Sequence, residues 1–347
     1  MSVYPNLIPP LFFLTFLAIG LWITPDYGVS WDEDIQRKHG RVVWDYIHQQ
    51  LDLTQDQPLE PDITFREYEY RFHGTLFQLS CLWVQQQLNL TDYRDITLLR
   101  HYGVFLLFFI GTLFFYRTLE FRFQRWQIAL LGTAMLILSP RIFGNAFFNI
   151  KDLVILPYYI IASYTLLRFL AQKNWQWAVW HGVACALVIN ARLMGVWIPC
   201  ITLGFYLFDL LRHDRVLIGK KLIHFGLFVL TTISITILLW PYLWEQPFQN
   251  FIDAFALLSK YNWGGEMRYF GSWINAQELP WHYALGWIHI STPLVYLLLF
   301  WTGTFQILRN FFQQLFKGFY KNKNQLYDLV FLALALGPLL IVIVKES

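Results

Sequence analysis

The 347-residue chain is 56% hydrophobic and 19% aromatic, and 14% of it is charged, where a soluble domain carries about a quarter. That balance excludes an independently folded soluble domain. Apolar runs of roughly 20 residues, enough to cross a hydrocarbon core about 30 Å thick, exclude a barrel, whose strands alternate apolar and polar residues. A formal charge of +3, with basic residues in short clusters between apolar runs rather than along one stripe, implies no nucleic-acid partner.

In chain order, the first apolar run, about 7–24, lacks a basic leader and an A-x-A-like cleavage site and is interrupted by Pro9-Pro10, so it reads as a retained span. A long acidic loop, about 25–97, follows. Within it, residues 35–51 and 76–88 place apolar side chains (Ile35, Val42, Val43, Tyr46, Ile47; Leu76, Leu79, Leu82, Trp83) at helical spacing, which predicts two interfacial helices on the membrane surface. Further spans are predicted at about 98–116, 127–143, 153–170, 176–190, 194–211, 222–240, 284–308 and 326–344.

Residues 176–211 carry as ionisable groups His181, Arg192 and Asp209, and fit either two short helices turning near Asn190-Ala191-Arg192 or one span with a re-entrant piece. Two spans put four basic clusters on one side: Arg117, Arg122 and Arg125; Arg168 and Lys173; Arg212, Arg215, Lys220 and Lys221; Arg309, Lys317, Lys321 and Lys323. The positive-inside rule makes that side cytoplasmic. The expected fold is therefore an all-α integral membrane domain, 1–347, with about nine spans and external loops at about 25–97, 140–152 and 241–283. Cys81, Cys185 and Cys200 form no disulfide framework and leave the redox compartment open.

Chemistry is expected on the external loops. Trp31-Asp32-Glu33-Asp34 sets three consecutive carboxylates near the membrane surface, where mutual repulsion calls for a partner, an ion or a catalytic role; the bland alternative is a cap on the following helix. Residues 139–152 pack Arg141, Asn145, Asn149, Lys151 and Asp152 among apolar side chains. Asp152 capping a helix and Lys151 snorkelling to the interface are the structural alternatives. Arg192, flanked by Ala191 and Leu193, calls for an anion, and a guanidinium grips two phosphate oxygens at once; helix-turn anchoring is the alternative. Trp240-Pro241-Tyr242-Leu243-Trp244 and Glu278-Leu279-Pro280-Trp281-His282-Tyr283 supply aromatics for an interfacial belt or for stacking on sugars, with His282 a candidate phosphate donor. His39, His73 and His101 lack metal-site spacing, and no Walker, GxGxxG, HExxH or paired CxxC pattern occurs.

Taken in order, a first span, Asp32-Glu33 followed by His39-Gly40 in a long loop with two interfacial helices, a short second loop ending in Asp152, and Leu279-Pro280-Trp281-His282-Tyr283 before Thr292-Pro293 resemble the GT-C membrane glycosyltransferases. The likeness is to the protein O-mannosyltransferase and aminoarabinose-transferase-like branch, and it covers essentially the whole chain. It implies hexosyl or pentosyl transfer from a polyprenyl-phosphate sugar donor, with inversion, at the periplasmic face of a bacterial inner membrane. The acceptor, whether protein, lipid or glycan, is not specified. By the resemblance Asp32 is the general base, Glu33 its motif neighbour, and Asp152 the second-loop acid that holds the acceptor or a divalent cation. Asp34 follows directly, so spacing alone does not fix the base. Arg141, Lys151, Arg192 and His282 are the candidates for phosphate, from their placement.

Members of that branch generally have more spans and further C-terminal sequence than a chain ending at Lys345-Glu346-Ser347, which keeps a non-catalytic lipid-binding relative among the alternatives. A transporter or lipid flippase is the other; it calls for a polar path near the bilayer midplane and internal repeats, whereas the unusual polar groups here gather at one face.

Overall fold

The computed structural model describes residues 7–54, 57–212, 218–259, 264–315 and 318–346. Arg215 and Lys317, two of the cations used to orient the chain, lie outside them. Fourteen α-helices and one short hairpin make up the described residues: α1 Ile8–Ile23, α2 Glu33–Gln50, α3 Leu76–Gln87, α4 Tyr93–Phe123, α5 Trp126–Ile137, α6 Pro140–Asn145, α7 Ile155–Gln172, α8 Trp175–Ala191, α9 Trp197–Arg212, α10 Ile218–Leu239, α11 Pro247–Ser259, α12 Tyr283–Ser291, α13 Leu294–Gln314 and α14 Lys323–Glu346, with strands β1 Glu266–Tyr269 and β2 Ser272–Asn275 antiparallel.

Local chemistry sets the ends. Asp92 accepts the N–H groups of Arg94 and Asp95 to start α4, and Asn174 accepts that of Trp177 to start α8. Gln124 and Lys173 turn left-handed to stop α4 and α7. Residues 176–211 form two helices, α8 and α9, joined by a tight turn at Leu193–Val196.

Every predicted span overlies a helix, yet the described helices that are both long and apolar enough to cross a membrane are three: Ile8–Asp26, Tyr93–Phe123 and Gly219–Leu239. Two expected spans are cut by proline. The run at 127–143 ends as α5 at Ile137, before Ser139-Pro140 opens the short α6. The run at 284–308 breaks into α12 and α13 at Pro293, which has no N–H to continue the ladder and holds Thr292 extended.

The larger core lies between α7, α8, α9, α10 and α14, around Leu166, Phe169, Cys185, Val188, Phe228 and Val330. Gly182 lets α10 approach closely: a Cβ there would stand 2.8 Å from Thr231 and 2.9 Å from the Phe228 carbonyl. His181 is buried in this core with each ring nitrogen met by a threonine hydroxyl, Thr165 at 2.9 Å and Thr202 at 2.8 Å. A second core joins α1 and α4 to the 137–154 segment through Phe16, Phe105, Phe108, Phe147 and Ile150. Arg122 closes the far end of α4 onto α14 with two bonds to Asp328, at 2.7 and 2.8 Å.

Helices α2 and α3 fall on the two predicted amphipathic stretches, but α2 is not simply apolar on its inner side. Glu33, Arg37 and His39 are buried with Val42, Val43 and Tyr46, and Gly40 brings α2 against the Gln78 side chain of α3. The strand of loop before α3 is fixed by Asn190 at the end of α8: its Oδ1 accepts the Leu76 N–H at 2.9 Å and its Nδ2 donates to the Leu239 carbonyl at 2.7 Å. Gly74 lies so close that a Cβ would stand 1.8 Å from the Asn190 carbonyl oxygen.

Replacing Asn190 by leucine strands a buried donor and acceptor together and is expected to cost about 2–4 kcal/mol. Gly74→Ala forces the loop off α8. Thermal unfolding in lipid nanodiscs should show both variants well below wild type, and an unchanged midpoint for either would mean that this junction is not what holds loop one.

Candidate active site

The first loop reaches the second through aromatic stacking. Thr24 donates its hydroxyl to the Gly20 carbonyl to end α1, and Tyr27 stacks on Phe147 and Phe148 at 4.8 and 5.9 Å between centroids. Five residues further on, Asp32 meets Lys151, Oδ2 to Nζ 3.2 Å.

The 139–152 segment presents its charges through its two asparagines. Asn145 donates to the Arg141 carbonyl, Asn149 donates to Asn145, and Asn149 Oδ1 accepts the N–H groups of Lys151 and Asp152 at 3.2 and 2.8 Å. Phe147 and Ile150 are buried beneath this turn. Asp152 is bonded and ion-paired to Arg192, the residue that ends α8. Two ion pairs therefore lie side by side, Asp32 with Lys151 and Asp152 with Arg192, drawn from loop one, loop two and the α8–α9 turn.

The structural alternatives hold in part: Glu33 and Asp34 lie in the first turn of α2, where the helix dipole favours acids, and Arg192 ends α8 and anchors that turn on Asp152. Asp32 stands at the N-cap of α2 but its side chain caps nothing. Asp152 does not cap α7, whose N-cap is Val154. Lys151 reaches a carboxylate rather than snorkelling. The side chains of Asp32, Lys151 and Arg192 are 29%, 31% and 27% exposed, and that of Asp152 64%. Pairs so open to solvent contribute little to stability.

The three consecutive acids point three ways. Glu33 is fully buried and paired with His101, Oε2 to Nε2 3.1 Å, while its Oε1 and the His101 Nδ1 have no protein partner. Asp34 takes Arg37 at 2.8 Å and the Tyr93 hydroxyl at 3.2 Å, and the Arg37 guanidinium lies over the Tyr93 ring. Only Asp32 of the three faces the second loop.

A cavity of about 40 Å³ opens beside the ion pairs, lined by Gln36, His73, Gly74, Lys151, Asn190 and Arg192 among others. That volume has room for a few waters and is too small for a sugar. A separate groove of about 530 Å³ runs between α8, α9, α10 and α11, lined by Ile189, Val196, Leu203, Phe228, Ile233 and Phe251 with few polar atoms. Ile189 and Asn190 are consecutive, so the apolar groove and the polar cavity begin at the same turn of α8.

The other expected residues are placed elsewhere. Arg141 is exposed on α6 and no described contact brings its side chain to the pairs. His282 belongs to a cluster with the hairpin, its Nδ1 2.9 Å from the Tyr269 hydroxyl. Trp240 is buried in a core with Ile189 and Leu243, so it offers neither an interfacial belt nor a stacking face. Tyr46 and Arg66 both reach Glu245, which ties the segment between α10 and α11 to the first loop. Among the described residues no three His, Cys, Asp or Glu side chains are grouped as metal ligands, and the Asp152 carboxylate is engaged by Arg192.

His73 and Asn190, which line the cavity, were not among the expected site residues; the sequence marks the second only as part of a turn. Burial, followed by the nearby Arg192 and Lys151 charges, lowers the His73 pKa to about 4. Burial lowers that of His39 to about 3, although its Nε2 bonds to the His73 carbonyl at 3.2 Å.

Both imidazoles are thus neutral when folded and protonate near 6.5 when unfolded. Between about pH 6.5 and 4 the unfolded chain binds more protons, so stability is full above that window and declines as pH falls through it. Thermal unfolding in nanodiscs should drop between pH 7.5 and 5, and His39→Asn should flatten the decline; a flat wild-type profile would contradict the neutral pair. Comparison with protein-family models, with curated proteins and with solved structures finds no match for the chain.

Proposed function

We propose that the chain is a multi-pass membrane glycosyltransferase that moves a hexosyl or pentosyl group from a polyprenyl-phosphate donor to an acceptor hydroxyl at the external face, with about nine helices set in a bacterial inner membrane. The observation that carries it is the pairing of Asp32 with Lys151 beside Asp152 with Arg192. The order of these residues along the chain resembles the GT-C transferases, and the apolar groove that starts at Ile189 gives a prenyl tail a place next to Arg192.

In this mechanism the donor phosphate lies at the mouth of the small cavity and draws Lys151 and Arg192 away from their carboxylates. A guanidinium and an ammonium suit a phosphate better than a single carboxylate each, because both can contact the same phosphodiester anion as it gains its second charge on departure. Release from Lys151 leaves Asp32 free to accept a proton. The acceptor oxygen then bonds to the anomeric carbon from the face opposite the phosphate. The carbon–oxygen bond to phosphate breaks with its electron pair on the departing polyprenyl phosphate, and the hydroxyl proton passes to Asp32. The anomeric configuration inverts. Glu33, buried against His101, holds the start of α2 in place rather than touching the reacting atoms. Asp152, the most exposed of the four, is on hand to orient the acceptor once Arg192 has turned to phosphate.

Purified protein in lipid, given a panel of polyprenyl-phosphate sugars and a crude acceptor extract, should release free polyprenyl phosphate. Asp32→Asn is expected to lower release about 10²–10⁴-fold, and Lys151→Ala or Arg192→Ala about 10²–10³-fold. Tight binding of a polyprenyl phosphate without release from any donor would assign the chain to non-catalytic lipid binding instead. Release undiminished in Asp32→Asn would remove Asp32 as the base.

A further inference from the structure

His73 lines the polar cavity together with Lys151 and Arg192 and belongs to neither ion pair. Its backbone is fixed: the carbonyl takes the His39 Nε2 at 3.2 Å, and Gly74 after it lies against the Asn190 carbonyl. Its ring stacks on Tyr70 at 6.2 Å and meets His39 edge-on at 6.5 Å. Among the described residues neither His73 ring nitrogen has a hydrogen-bond partner, and neither is sealed from solvent as the Nδ1 atoms of His39 and His101 are. A half-buried imidazole with both nitrogens open has bonds left to make.

The charges around it fix what it can bond to. Burial, then the Arg192 and Lys151 charges, keep the free imidazole neutral down to about pH 4. The groups that face it are those two cations, from the end of α8 and the second loop, the buried neutral His39 of α2, and the polar Tyr70 and Gln36. Asp32 and Asp152 balance the cations one for one. A phosphodiester set between Lys151 and Arg192 therefore leaves one negative charge uncompensated. It also stands beside His73, since a cavity of about 40 Å³ is only a few ångströms across. A proton on the ring restores neutrality and adds a charge-assisted hydrogen bond. The cleft of about 410 Å³ between α2 and the 62–70 segment is the wrong place for such an anion, because Asp62, Glu67 and Glu69 stand there against Lys38.

We infer that His73 is the third ligand of the phosphate and takes up a proton from solvent as the anion binds. The proton returns to solvent when the polyprenyl phosphate leaves, so the cycle balances. The identity of the anion rests on the transferase function proposed above; the binding needs no turnover. Uptake falls between about pH 4, where the free imidazole titrates, and the ordinary range near 6.5, to which the anion returns it. Donor affinity then rises as the external face acidifies, and the charged ring meets the second negative charge that the phosphate gains on departure.

The probe is methyl farnesyl phosphate, a diester that stays singly ionised across this range, titrated into the full chain in maltoside micelles, which carry no phosphate. Calorimetry at pH 5.5, in two buffers of different ionisation enthalpy, should show uptake of most of one proton, and affinity should fall about tenfold from pH 5.5 to 7.5. His73→Gln should bind about tenfold more weakly at pH 5.5, with no uptake and no slope. His39→Asn, which removes the neighbouring imidazole, should keep both. Uptake that persists in His73→Gln, a flat wild-type affinity, or failure of the diester to bind would overturn the inference; the wild-type slope and proton count decide it even if His73→Gln does not fold. An equal, proton-linked response to dioleoyl phosphatidylglycerol, or proton-linked binding with no release from any polyprenyl donor, would refute the transferase and leave His73 as the phosphate ligand. Donor turnover with pH-flat binding would do the reverse.

Discussion

The Asn190 carboxamide, at the last turn of α8, accepts the Leu76 N–H with one end and donates to the Leu239 carbonyl with the other. Three elements far apart in sequence thus end on one buried group. The geometry beyond it follows. Gly74 can lie against the Asn190 carbonyl because it has no Cβ, which seats His73 beside the polar cavity and its carbonyl over His39. Two residues after Asn190 the helix stops at Arg192, whose reach to Asp152 is set by where that stop occurs. A buried amide with both ends bonded has little freedom to rotate, so it works as a fixed pin where an aliphatic residue would leave two backbone groups unpaired.

Electrostatics and packing divide their labour along the loops. Pairs that hold the frame are buried or bidentate: Glu33 with His101 inside, Arg122 with Asp328 at the far end of α4. The pairs at the candidate site are partly open and single-contact, and can be exchanged at small cost. Aromatic contacts, Tyr27 on Phe147 and Phe148, hold the two loops together independently of the ion pairs.

Local pattern made much of this legible. The 35–51 and 76–88 stretches are α2 and α3 to within two residues, because their apolar spacing and flanking breaks are local properties. Asp32, Lys151, Asp152 and Arg192 stood out as charges next to apolar runs and are the four that meet. What sequence could not carry were partners chosen by tertiary packing. Glu33 and His101 are 68 positions apart, and nothing in either neighbourhood marks the other. Arg141 and His282 look much like Lys151 and Arg192 in sequence, charged or titratable at the edge of an apolar segment, and differ in where α6 and the hairpin put them. At Thr292-Pro293 proline chemistry overrides the continuous hydropathy of residues 284–308 and divides them into α12 and α13.

The cavities around α2 and the end of α8 differ in character, and the difference is functional in the transferase proposed here. Cations gather where Lys151 and Arg192 stand, acids gather across α2 at Asp62, Glu67 and Glu69, and the apolar groove begins one residue before Asn190. A polyprenyl-phosphate sugar has an apolar end and an anionic joint, and this layout accepts it in one direction: tail along α10, phosphate at Arg192. Entry of the phosphate into the acidic cleft would set like charges together near low dielectric. The His39–Tyr68 stack and the bond from His39 to the His73 carbonyl link the 62–70 segment to the edge of the polar cavity. In the transferase proposed here, that layout would keep the donor phosphate on the side of Lys151 and Arg192, with Asp32 beside it as the proton acceptor.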